Sequence, residues 1–186
     1  MTVKDITAAT RDQMSKSLDH TKSQIAKVRT GRASSGLLDG ITVAYYGSPT
    51  PISQVAGISV PDARTIVIQP FDRTILVDIE KAVRSADLGF NPQNDGSIIR
   101  IPVPPLTEER RKEFVKMCKK FAEDGKIAIR NVRRDQMDTL KKAEKGKDIT
   151  EDDRKRGEEE IQKITDDFIK KVDVILNDKE KELMTD

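Results

Sequence analysis

Residues 114–132, "FVKMCKKFAEDGKIAIRNV", decide the fold. Phe114, Cys118, Phe121, Gly125, Ala128 and Val132 recur at spacings of 4, 3, 4, 3 and 4, which keeps them on one face of an α-helix. Charged side chains fill much of the rest. A helix with a single apolar seam is not stable alone in water and has to bury that seam against partners.

Two partners lie outward along the chain. Upstream, Met14, Leu18, Thr21, Ile25 and Val28 form a second seam; downstream, Ile161, Ile164, Phe168, Val172 and Ile175 form a third. Packed together, the seams predict a long antiparallel three-helix bundle. "TVKD" and "TEDD" each place Thr three residues before an acid, so Thr2 and Thr150 are expected N-caps. Pro104 and Pro105 precede Thr107, the expected cap of the second helix, and "KGKD" at 145–148 separates the second helix from the third. Helices of roughly 28 to 38 residues would span about 42 to 57 Å.

Residues 31–104 follow a different rhythm. "ITVAYYG" alternates Ile41, Val43 and Tyr45, and "GSPTP" reads as a turn. "VAGISV" and "RTIVIQP" flank a "PDAR" turn. "ILVDIEKAVRSA" is one amphipathic helix with Ile75, Ile79, Ala82 and Val83 inward, and "NPQNDGSIIRIPV" is a turn followed by a strand. The fold class expected is therefore α+β. A bundle of residues 1–30 and 105–186 carries an inserted small β/α/β domain of residues 31–104. Two connections join them, near 30–34 (Thr30, Gly31, Arg32, Ala33) and 103–106 (Val103, Pro104, Pro105). Paired connections favour a hinge over a loose tether.

Composition narrows the function. Of 186 residues, 35% are charged and 4% aromatic, with no Trp, which favours charge-covered helices over a large enzyme core. One Cys permits no internal disulfide, and no membrane span or signal peptide is expected, so the default location is the cytoplasm. No catalytic residue is assigned: His20, the sole histidine, sits in a charged part of the first helix, and Cys118 lies on a seam. The ligand set for zinc is missing, as are phosphate-binding glycine loops, so no metal and no cofactor are expected. The acid runs at 151–153 and 158–160 read as a helix start placed favourably against its dipole.

Charge is segregated along the chain. Residues 105–147 hold 14 basic and 8 acidic side chains, or +6; residues 148–186 hold 8 and 14, or −6; residues 31–104 hold 6 and 7, or −1. On a wheel of about 100° per residue, Lys112, Lys116, Lys119, Lys126, Arg133, Arg134 and Lys141 fall within about 60° of Arg130, with Phe114, Phe121, Ala128 and Val132 opposite. One arc of cations facing away from the core predicts binding to nucleic acid or another polyanion, for which the planar arginine fork is suited.

The strings "KVRTGRASSGLLDGITVAYYGSPTPISQVAGISVPDARTIVIQPFD", "DLGFNPQNDGSIIRIPVPPLTEERRKEFVK", "IAIRNVRRD" and "DDFIKKVDVILNDKEKELM" resemble the bacterial ribosome recycling factors over essentially the whole chain. That resemblance implies an L-shaped, monomeric molecule of dimensions similar to transfer RNA. It implies binding to the 70S post-termination ribosome, chiefly to large-subunit ribosomal RNA, and splitting of the subunits with elongation factor G and GTP. It also implies that the factor is not an enzyme. By motif it nominates Arg130, Arg133 and Arg134 of "RNVRRD", Arg29 and Arg32 of "VRTGR", and Arg110 of "TEERR" as ribosome contacts, with Lys126 from the cationic arc beside them. The alternatives are an RNA-binding or structural helical adaptor unconnected with ribosomes and, less compatible with the missing His/Cys constellation, a small hydrolase.

Overall fold

The computed structural model describes residues 2–185. The chain divides into two compact units, one of residues 1–30 and 107–186 and the other of residues 31–106.

The first unit is a bundle of α1 (Val3–Ala26) with two longer helices, which are α4 and α5 in chain order: α4 spans Glu108–Lys145 and α5 spans Glu151–Met184. Their starts are set locally. Thr2 and Thr150 each accept from the backbone three residues on while Asp5 and Asp153 reach back, two complete capping boxes, and Thr107 accepts from the Arg110 N–H. All three helices pack on one another. Ile6 meets Leu140, Gln13 bonds Gln136 and Thr21 meets Gly125, so α1 runs antiparallel to α4. Buried threonines of the bundle are satisfied within their own helix: the Thr10, Thr21 and Thr165 hydroxyls donate to carbonyls four residues back at 2.7–2.9 Å. Where α4 ends and α5 begins, Arg154 bridges Glu144 and Glu158, each at 2.6 Å.

Two expectations about the bundle need correction. α1 has 24 residues, fewer than expected, because β-branched Val28 and Thr30 and then Gly31 follow its end and continue a helix poorly. The α4 seam is rotated. Its buried positions are Cys118, Ala122, Gly125, Ile129, Gln136, Leu140 and Ala143, whereas Phe114, Phe121, Ala128 and Val132 are half-buried beside it. The reason is interhelical distance. A Cβ on Gly125 would clash with the Thr21 hydroxyl and come within 2.9 Å of its methyl, so the line of closest approach takes small residues and pushes the phenylalanines to its flank.

The second unit holds a hairpin and a four-stranded antiparallel sheet. The hairpin pairs β1 (Thr42–Tyr45) with β2 (Ser48–Pro51), so "GSPTP" is mostly strand; the turn is Tyr46–Gly47, both at positive φ as a two-residue hairpin requires. A single helical turn, α2 (Ile52–Val55), leads into β3 (Ala56–Asp62) and β4 (Thr65–Pro70). After α3 (Leu76–Ser85) come β5 (Gln93–Asn94) and β6 (Ile99–Pro102), and the sheet order is β3-β4-β6-β5. Ile66 pairs with Ile101 and Ile68 with Ile99, all four buried, and Ile75, Ile79 and Val83 join the same core as expected.

Candidate nucleic-acid interface

The corrected seam changes which cations face outward. The buried positions of α4 centre about 110° round the helix from Arg130, not opposite it. One flank of the expected arc therefore turns toward α5. Lys126, with a side chain 18% exposed, pairs with Asp173; Lys119 lies 3.6 Å from Glu180; and Arg133 Nη1 donates to Gln162 Oε1 at 3.1 Å. These three are joined to α5, and the reading of the arc as wholly turned from the core is corrected for them.

The other flank stays open. Arg134, Lys116, Lys120 and Lys141 are exposed and make no ion pair or side-chain hydrogen bond among the described residues. Arg130, one turn from Arg134, is exposed and holds Glu123 at 3.1 Å, seven residues back along α4. Ile127, 47% exposed, stands on the same outward face between these charges. Cations interleaved with an apolar side chain can meet phosphates and the faces of sugars and bases together. Lys120 falls outside the expected cationic arc, about 80° from Arg130 round the helix, and the observed seam places it near the outward centre.

The remaining expected contacts are not gathered with these. Arg110 stands 20 residues before Arg130, roughly 30 Å along the helix. It pairs with Glu113 at 3.0 Å, with its guanidinium 5.9 Å from the Phe114 ring centroid. Arg29 and Arg32 are exposed beyond the end of α1, Arg29 in the bundle unit and Arg32 in the other.

The groups with chemical potential are quiet. Cys118 is fully buried, and burial pushes its thiol up, away from the reactive thiolate. His20 is exposed and lines a cleft of about 600 Å³ with Lys16, Phe121 and Asp124. Among the described residues no group of three or more His, Cys, Asp or Glu could hold a metal, and no helix is long and apolar enough to cross a membrane.

A long three-helix bundle interrupted by a small α/β unit is the architecture of a translation factor, as two solved structures show. A solution structure of the ribosome recycling factor matches with a TM-score of 0.75 at 42% identity, covering 98% of this chain and 97% of that one. The second is a T. thermophilus ribosome recycling factor, described with E. coli elongation factor G as bound to the E. coli post-termination complex. It matches with a TM-score of 0.65 at 48% identity over the full length of both chains. The family model described as ribosome recycling factor matches residues 21–184. Similar relatives carry the name ribosome-recycling factor: one from Geobacillus sp. (strain WCH70) is 53% identical over 182 residues, 98% of each chain, and one from Staphylococcus haemolyticus (strain JCSC1435) is 54% identical over 181 residues, 97% of this chain and 98% of the relative. The chain belongs to the ribosome recycling factor family.

Proposed function

We propose that this protein binds the post-termination ribosome through large-subunit ribosomal RNA and, with elongation factor G, separates the subunits so that mRNA and tRNA are released. It works as a monomer in the cytoplasm and performs no chemistry itself; GTP hydrolysis belongs to its partner. The observation that carries the RNA contact is the outward face of α4, where Lys116, Lys120, Arg134 and Lys141 have no anionic partner while α5 engages Lys119, Lys126 and Arg133. Cations left unmatched by their own fold are available to phosphate. The bundle is the anchoring unit, and the α/β unit, at −1, is the part that meets a protein partner and swings where the paired connections join the bundle.

The test is large-subunit binding titrated at several salt concentrations. Arg134→Ala is expected to weaken binding by about 1–3 kcal/mol and to flatten the salt dependence by about one counterion. Lys126→Ala should change it far less, since Asp173 already holds that charge. Unchanged affinity in an Arg130→Ala, Arg134→Ala double variant would remove α4 from the interface.

A further inference from the structure

Both connecting strands are fastened to one turn. Between β3 and β4, the Asp62 carboxylate accepts from the Arg64 N–H at 2.8 Å and shapes a tight bend. Ala63 accepts the Ala33 N–H at 2.8 Å, and Arg64 accepts the Val103 N–H at 2.7 Å. The Arg64 guanidinium reaches the Gly31 carbonyl at a longer 3.4 Å. Thus two consecutive residues hold the incoming strand at positions 31 and 33 and the outgoing strand at 103. The stitching stops there for a covalent reason: Pro104 and Pro105 have no N–H to donate. At the outer limit, Gly31 sits at φ +78° against Leu106, where an added Cβ would come within 2.8 Å of the Leu106 Cγ.

We propose that the β3–β4 turn is a clip that makes both connections part of the smaller unit, with Arg64 as its positioning residue. Bending is then confined to the chain just before Gly31 and just after Leu106, and residues 31–33 and 103 move rigidly with the sheet. Two strands fastened side by side define an axis, which makes the swing directional. The consequence for subunit splitting rests on the function proposed above; the clip itself does not.

Amide hydrogen exchange on the protein alone reads the clip directly. In the unsubstituted protein the Ala33 and Val103 amides should be protected. Arg64→Ala keeps both backbone acceptors but removes the side-chain tie to the Gly31 carbonyl, and should speed exchange at both amides by about tenfold or more, whereas unchanged exchange would remove Arg64 as the positioning residue. The same variant should broaden the distribution of fluorescence transfer between dyes on the two units and slow splitting, with large-subunit affinity unchanged; Arg64→Lys should restore part of each. Free-peptide exchange rates at Ala33 and Val103 in the unsubstituted protein would overturn the proposal, as would an unaltered transfer distribution in Arg64→Ala once protection is lost. If the unsubstituted protein fails to split ribosomes, the functional reading fails and the exchange result still stands or falls separately.

Discussion

Gly125 shows how one residue sets the spacing of two helices. The Thr21 hydroxyl that a new side chain would strike is tied to the Ser17 carbonyl at 2.9 Å, so it cannot easily rotate away. Gly125→Ala should therefore destabilise the bundle by about 1–3 kcal/mol through overpacking, even though alanine favours helix more than glycine does. Urea unfolding measures this. A Thr21→Ala, Gly125→Ala double variant should recover part of the loss, because it reopens the space. A Gly125→Ala protein as stable as the original would mean that α1 and α4 do not approach this closely.

At the level of elements, the helix starts rest on short-range bonds that can be tested by pH. Thr150→Ala should cost about 0.5–2 kcal/mol near neutrality. The hydroxyl and N–H of Thr150 hold the Asp153 carboxyl below its ordinary value of 3.8. A carboxyl depressed in the folded state contributes stability above its unfolded value, and that contribution is lost as pH falls from about 3.8 through the lower folded value. Thermal melts across that window should show the original protein losing more stability than Thr150→Ala, so the gap narrows in acid to what the Asp153 N–H bond to the Thr150 hydroxyl retains; a constant gap would contradict the linkage. Such caps were legible in the sequence because Thr and Asp three residues apart make them without outside help. The α4 seam was legible in period and not in phase. Phe114 and Phe121 outrank Cys118 and Ala122 in hydrophobicity, yet the approach of α1 at Gly125 gives the centre to the smaller residues. The same rotation of the seam turns Lys126 and Arg133 toward their partners on α5. In the same way, Ser48–Pro51 was hidden as a strand because its pairing with β1 is a matter of register and its composition is that of a loop.

In the bundle taken whole, charge and apolar burial divide the work between solubility, recognition and stability. The +6 of residues 105–147 faces the −6 of residues 148–186 through pairs that run from partly buried, Lys126 with Asp173, to more open, Lys119 with Glu180; surface pairs are worth about 0–1 kcal/mol each and are screened by salt. Stability must come from the seams. Phe168→Ala, at a buried position of α5, should cost about 3–5 kcal/mol, more than any single charge reversal on α4 or α5. Thermal melts giving the reverse ranking would assign the bundle to its ion pairs. On the function proposed above, the surplus of cations on α4 serves an external polyanion, and subunit splitting is where anchor and swing meet. The decisive measurement is sedimentation of post-termination ribosomes incubated with this protein, elongation factor G and GTP. Separated subunits are expected with the unsubstituted protein and intact ribosomes with the Arg130→Ala, Arg134→Ala variant; intact ribosomes with both, or equal splitting by both, would contradict a recycling factor anchored through α4.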